Sequence, residues 1–177
     1  MADTGAMLVI FNGGKASRMG GVDKGQVLHN GQSLFAQTRS RFIGLHDHGY
    51  VSVSAQYTGT QYEGFPVIYD DVALLPAGSG VITSVLSCLK YAAQAGYPYF
   101  ISAPVDTPSL SATYCADLRR AWRGGDVPVV VTTRDGEDAH LHPLHALWPV
   151  AALPKMMQFA CDEGLRKMTR FHEVLTS

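Results

Sequence analysis

Arg18 and Lys24 lie in a glycine-rich stretch that follows a short apolar run: Asn12-Gly13-Gly14-Lys15-Ala16-Ser17-Arg18-Met19-Gly20-Gly21-Val22-Asp23-Lys24. Glycine lets the backbone turn sharply and approach a ligand, so a row of N–H groups can face an anion. With two fixed cations in the same loop, the combination suits a triphosphate. Two carboxylates complete the chemistry. Asp70 ends Phe65-Pro66-Val67-Ile68-Tyr69, beside Asp71, and Asp106 follows Tyr99-Phe100-Ile101-Ser102-Ala103-Pro104-Val105. Mg2+ takes oxygen ligands, usually one or two protein carboxylates with phosphate oxygens and water, and it neutralises phosphate charge. A lone aspartate beside a turn is by default a turn or cap residue. Next to a phosphate-type loop, Asp70 and Asp106 read instead as site residues that could serve such a metal. The loop fits neither the Walker pattern nor Gly-x-Gly-x-x-Gly.

These residues need elements to hold them. Met7–Phe11 reads as a buried strand that ends in the glycine loop. Ser33–Phe42 reads as a helix capped by Ser33, followed by strands over Tyr50–Ser54 and Pro66–Tyr69. Gly80–Ala93 reads as an apolar helix, Tyr99–Ala103 as a strand and Ser111–Trp122 as a helix capped by Ser111. Val127–Thr133 and Leu144–Trp148 read as strands and Val150–Cys161 as the last helix. Alternation of this kind predicts an α/β fold, a sheet with helices on both faces. In such sheets ligands gather at the carboxyl ends of the strands, which would bring the glycine loop, Asp70 and Asp106 to one crevice.

Composition bounds the rest. At 177 residues with 46% hydrophobic content, one domain over residues 1–177 with a sizeable core is expected. A formal charge of -1 gives no broad footprint for nucleic acid. No apolar run approaches the ~20 residues of a membrane span, and no secretory pattern opens the chain, so a cytoplasmic protein is expected. Cys88, Cys115 and Cys161 are odd in number and far apart, and read as small buried hydrophobes.

The loop resembles the signature of the molybdenum cofactor guanylyltransferases: Leu-Ala-Gly-Gly, then Arg-Met-Gly, then Asp-Lys. Phe11-Asn12-Gly13-Gly14, Arg18-Met19-Gly20 and Asp23-Lys24 take those places. Pro104-Val105-Asp106-Thr107-Pro108 is similar to the family's Pro-Cys-Asp-Thr-Pro, whose Asp holds Mg2+. Val67-Ile68-Tyr69-Asp70 is similar to Val-Ile-x-Asp, whose Asp contacts the nucleotide. His142-Pro143-Leu144-His145-Ala146-Leu147 is similar to His-Pro-x-x-Ala-Leu, and Gly164-Leu165-Arg166-Lys167-Met168 to Gly-x-Arg-Arg. The resemblance implies a three-layer, Rossmann-like nucleotidyltransferase fold with a mostly parallel sheet. It implies GTP and molybdopterin, or the molybdenum cofactor, as substrates, with Mg2+ as cofactor. The nucleotide would be held at Phe11, Asn12, Gly13, Gly14, Lys24, Ser54, Asp70 and Asp106. Arg18, Lys24 and Asp106 would act in catalysis, with Asp106 on the metal.

The chain departs from the family pattern in places. Asn12 puts a polar side chain in the loop that frames the base. Ser54 stands where the family has Asn, and Ala77-Gly78-Ser79-Gly80-Val81 replaces Gly-Pro-Leu-Ala-Gly. The family's closing Asn-x-Asn-Thr-Pro is not found before Thr176-Ser177, so nucleotide binding is expected to be better preserved than pterin recognition. Three alternatives stay open: a cytidylyltransferase on the same pterin, a sugar-phosphate nucleotidyltransferase, and a weakly catalytic nucleotide-binding module working through a partner such as a molybdoenzyme or its chaperone. Of two histidine groups, His140, His142 and His145 fall in a segment that borders the substrate cleft in the family, whereas His46-Asp47-His48 reads as a solvated turn. Arg166, Lys167 and Arg170 read either as contacts for the pterin phosphate or as a solvated helix face.

Overall fold

The computed structural model describes residues 5–12, 23–43, 48–55, 57, 62, 64–75, 79–107, 109–136 and 138–162. Gly13, Gly14, Arg18, His46, Asp47, Arg166, Lys167 and Arg170 lie outside them. Strands are β1 Met7–Phe11, β2 Leu28–His29, β3 Gln32–Ser33, β4 His48–Val53, β5 Val67–Tyr69, β6 Tyr99–Pro104, β7 Val129–Asp135 and β8 Asp138–Pro149. Helices are α1 Leu34–Ile43, α2 Val81–Ala95, α3 Tyr114–Ala121 and α4 Leu153–Asp162.

Six strands form one sheet in the order β5-β4-β1-β6-β8-β7. β5, β4, β1 and β6 are parallel, and β8 runs antiparallel to both β6 and β7. The fold is therefore α/β with a mostly parallel sheet. β1 sits inside it, paired on both edges, and all five of its side chains are buried, as a run without alternation requires. Its odd-numbered residues, Met7, Val9 and Phe11, pack with Ile82, Val85, Leu86 and Leu89 of α2 and Met156 and Ala160 of α4. Leu8 faces the other way, with Phe42 of α1 and Tyr114, Cys115 and Leu118 of α3. Ile10 joins Phe35 of α1, Val51 and Val53 in a third cluster on that side. Helices thus cover both faces.

The boundaries differ from expectation where local signals compete. Ser33 caps α1 as expected, its Oγ accepting from the Ala36 N–H at 3.1 Å. Ser111 does not cap α3. Its Oγ accepts from Thr113 N at 3.2 Å in a turn, and the helix begins only at Tyr114. The strand expected at Leu144–Trp148 is the inner half of the longer β8. His48 belongs to β4 rather than to a turn, and Cys161 is exposed while Cys88 and Cys115 are buried. The β2–β3 hairpin was not anticipated. Its Asn30-Gly31 turn has φ of 52° and 79°, both positive as a type I′ hairpin requires, so the Asn-Gly pair was its signal.

Candidate active site

Strand order reverses at β1: the chain steps to β4 and β5 on one side, then crosses through α2 to β6 on the other. A crevice opens outside the carboxyl ends of strands at such a switch point. The residues following β1, β4, β5 and β6 all border it. Asn12 N donates to Ser52 O at 2.9 Å, Val105 N to Phe11 O at 2.9 Å, and Asp70 N to Val53 O at 3.0 Å. These bonds extend the strand ladder by one step and fix where Asn12, Asp70 and Asp106 leave the sheet.

At this point Lys24 and Asp106, 82 positions apart in sequence, form an ion pair through Nζ and Oδ2. Both side chains are partly exposed, at 46% and 43%, so the pair can open to a ligand without uncovering a buried charge. Lys24 starts a single 3-10 turn, Lys24–Gln26, whose cap is Asp23: its carboxylate accepts from Gly25 N at 3.0 Å.

Asp23 is itself fixed from three sides. Tyr62 Oη donates to its two oxygens at 2.8 and 2.7 Å, Asn12 Nδ2 donates at 2.8 Å, and Tyr57 Oη donates to Oδ2. Burial would raise the Asp23 pKa, but the bonds from Tyr57, Asn12, Tyr62 and the Gly25 N–H outweigh it and hold the carboxyl below its ordinary range. Burial, with the carboxylate beside it, pushes the Tyr57 phenol up to about 12 and raises that of Tyr62 as well. Cluster and turn form one unit that presents Lys24. Sequence inspection had singled out Asn12 and the Asp23-Lys24 pair but neither tyrosine. Asn12 directs its amide donor inward to Asp23 and Tyr62, and its Oδ1 is buried with no partner among the described residues.

The other expected residues take distinct places. The Phe11 side chain is in the core, edge-on to Phe100 at 6.4 Å, so it borders the site through its backbone. Ser54 is exposed just past β4. Asp70 is half-buried, and its Oδ1 has no partner among the described residues. Burial raises its pKa, opposed by a hydrogen bond from Ser84. Asp71 is committed elsewhere, to Lys90 Nζ at 2.6 Å and to the Ala73 N–H at 3.0 Å. The site's donor set fits Mg2+, being partly exposed carboxylate oxygen at Asp106, with a cation beside it able to move to phosphate. Of the histidine group, His145 lies beside Asp106, its Nε2 3.0 Å from Thr107 Oγ1. Burial and then His142 push its imidazole below the ordinary range, while Asp106 pulls the other way. His142 bonds Thr133 Oγ1 at 2.8 Å.

Comparison with known proteins gives the family and the fold. Residues 8–175 match the MobA-like NTP transferase domain. The chain is 30% identical over 165 residues to a molybdenum cofactor guanylyltransferase of Sinorhizobium fredii, covering 92% of this chain and 72% of that one. With one from Cupriavidus necator it shares 31% over 160 residues, or 88% and 76% of the two chains. Molybdopterin-guanine dinucleotide biosynthesis protein A from Archaeoglobus fulgidus has the same fold, with a TM-score of 0.64 at 18% identity over 95% of this chain and 79% of that one. So does 2-C-methyl-D-erythritol 4-phosphate cytidylyltransferase from Thermus thermophilus, at 0.63 and 18% over 97% and 84%. With its switch-point crevice, its paired Lys24 and Asp106 and a match over nearly its whole length, this chain belongs to the MobA-like NTP transferase family, the nucleotidyltransferases related to the molybdenum cofactor guanylyltransferases.

Proposed function

We propose that the protein transfers GMP from GTP to the terminal phosphate of molybdopterin, or of its metal-loaded form, with release of pyrophosphate. The observation that carries this reading is the meeting of Lys24 and Asp106 at the switch point, in a chain 30% identical to guanylyltransferases. An oxygen of the acceptor phosphate forms a bond to the α-phosphorus of GTP, and the bond from that phosphorus to the pyrophosphate oxygen breaks. No protein nucleophile is needed, so catalysis consists of positioning and electrostatic stabilisation.

Each residue then has a definite task. Lys24 leaves Asp106 for the phosphates, where a charge-assisted contact stabilises the developing negative charge. The Asp23 cluster keeps the Lys24 turn in place while this exchange occurs. Asp106 would hold Mg2+, which when bound neutralises phosphate charge and helps orient the attack. Gly13 and Gly14 would offer backbone donors and Arg18 a second cation. Asp70 and Ser54, past neighbouring strands, would serve the nucleoside end together with the backbone beside Phe11 and Asn12. A cytoplasmic setting, with a molybdoenzyme or its chaperone receiving the product, fits this chemistry.

The test is pyrophosphate release with molybdopterin present, measured separately with GTP, CTP, ATP and UTP, alongside calorimetric titration of each nucleotide with Mg2+. GTP should bind most tightly and support turnover. Turnover with CTP in preference to GTP would replace the guanylyl assignment with a cytidylyl one, and turnover with neither would remove it.

A further inference from the structure

β8 meets the crevice through an irregularity. In its pairing with β7, Val130 lies opposite Ala146 but the next residue, Val131, lies opposite His142. One step along β7 thus spans four along β8, leaving Pro143, Leu144 and His145 as a bulge. Pro143 has no N–H to give the ladder, and proline inside a sheet is confined to edges and bulges. Bulges re-aim side chains, and this one sits beside the site.

The bulge is braced from beneath by a buried hub. Ser102 of β6, 0% exposed, donates through Oγ to Leu144 O at 2.8 Å, and Trp148 Nε1 donates to Ser102 Oγ at 3.1 Å. Tyr114 Oη donates to Ser102 O at 2.6 Å. The same Tyr114 ring meets His145 edge-on at 6.3 Å, and the His142 ring meets it edge-on at 5.7 Å from another side. The imidazole is thus locked between two rings, with Nε2 3.0 Å from Thr107 Oγ1, on the residue directly after Asp106.

We propose that His145 is a positioning residue: through its bond to Thr107 it fixes the turn that carries Asp106, and so sets where that carboxylate stands at the crevice. This rests on the proposed function for its catalytic consequence, but the structural link is testable on the protein alone. A rigid support for a group that must be held within a fraction of an ångström is what a positioned site requires.

Three variants separate the hydrogen bond from packing. His145→Phe keeps an aromatic ring against Tyr114 and loses Nε2. Thr107→Val removes the other end of the bond, and His145→Gln restores a side-chain group able to reach Thr107. The first readout is amide hydrogen exchange at Val105, whose N–H bonds Phe11 O at 2.9 Å at the base of the turn. The second is Mn2+ binding to the GTP complex followed by paramagnetic resonance. Exchange should quicken, and Mn2+ affinity fall, by about threefold to tenfold in His145→Phe and Thr107→Val, the range of one lost hydrogen bond. Combining the two should add little, and His145→Gln should recover most of the loss. The value of kcat should fall in step with Mn2+ affinity, with KM for GTP little changed. If His145→Phe and Thr107→Val leave Val105 exchange and Mn2+ affinity within twofold of wild type, or if their effects add fully, His145 does not position the turn. Absence of Mn2+·GTP binding by the wild-type protein would instead count against the proposed function, and the exchange data would still decide the link.

Discussion

Replacing Gly25 by alanine probes whether the Asp23 cluster is rigid enough to position Lys24. Gly25 is buried, and a Cβ there would lie 2.8 Å from Tyr62 Oη, 3.2 Å from Tyr62 Cε1 and 3.2 Å from Asn12 Oδ1. Two effects oppose each other. Removing glycine restricts the unfolded chain and stabilises by ~0.4–1 kcal/mol where the backbone is compatible. Crowding a well-packed site costs ~1–3 kcal/mol. A tyrosine oxygen is the far end of a side chain and could in principle swing aside. Here it is bonded to both oxygens of Asp23, and its ring lies 4.4 Å from that of Phe35 and stacks on Tyr57 at 6.3 Å. Crowding should therefore win, with a net loss of about 1 kcal/mol, or ~2–4 °C in Tm for a chain of this size. The decisive assay is a double-mutant cycle with Tyr62→Phe, read by urea and thermal unfolding. Tyr62→Phe alone should destabilise by ~1.5–3 kcal/mol because bonds to a charged carboxylate are lost. In that background Gly25→Ala should be neutral or stabilising, giving a coupling of about 1 kcal/mol. Nucleotide affinity should follow, since Lys24 adjoins Gly25. A Gly25→Ala protein as stable as wild type, with no coupling to Tyr62, would refute the picture of a rigid cluster.

The remaining expectations concern charge. Lys24→Ala should weaken nucleotide binding or transition-state stabilisation by at least ~1.5 kcal/mol while leaving Tm almost unchanged, because an exposed ion pair contributes only ~0–1 kcal/mol to the fold. Calorimetry and thermal unfolding on one sample check both halves. Asp106→Asn should keep the fold, as a turn residue would, but lower nucleotidyl transfer by roughly 100-fold, ~2.7 kcal/mol in the barrier, with only partial recovery at high Mg2+. Full activity at ordinary Mg2+ would leave Asp106 a structural role only. Asp70→Asn should raise stability at neutral pH by about 1 kcal/mol, since the buried Oδ1 has no partner among the described residues and burial disfavours its charge. The sign follows from the raised folded-state pKa. Protonated Asp70 is harmless below its unfolded pKa, and the penalty appears as pH rises through the folded value. The gain should thus vanish below about pH 4. Denaturation of both proteins across pH measures it, and a gain independent of pH would contradict the assignment.

The strand ends were legible because a buried parallel strand writes itself as an unbroken apolar run, and β1 with its five buried residues is the clearest case. Asp70 and Asp106 follow such runs directly, so their placement at the crevice could be read from sequence. The mostly parallel sheet was legible by alternation and family resemblance, but the reach of β8 was not. Its outer half is polar and exposed, and Pro143 interrupts it at the bulge. The contacts around Asp23 were invisible for another reason. Tyr57 and Tyr62 lie 34 and 39 positions from Asp23 in sequence, and nothing periodic links them. His145 stood out as one of a group, yet its partner Thr107 is 38 positions away. Only folding of β6 against β8 brings them together.

The site divides by how firmly its charges are held. Asp23 is bonded by two phenols, an amide and a backbone N–H. Lys24 and Asp106, the groups assigned to phosphate and metal, are half-exposed and hold only each other among the contacts described. An exposed pair of this kind is worth ~0–1 kcal/mol, so separating it lowers ligand affinity by less than about tenfold. A deeply buried pair would resist opening far more strongly, because each charge would be left without solvent or partner. Exposure thus makes exchange of partners easy, while the cluster beneath Lys24 and the braced bulge beside Asp106 restrict where each charge can go. Fixed supports beneath exchangeable charges fit the proposed transfer between two anionic substrates, in which both charges would find new partners on binding and return to each other when the products leave.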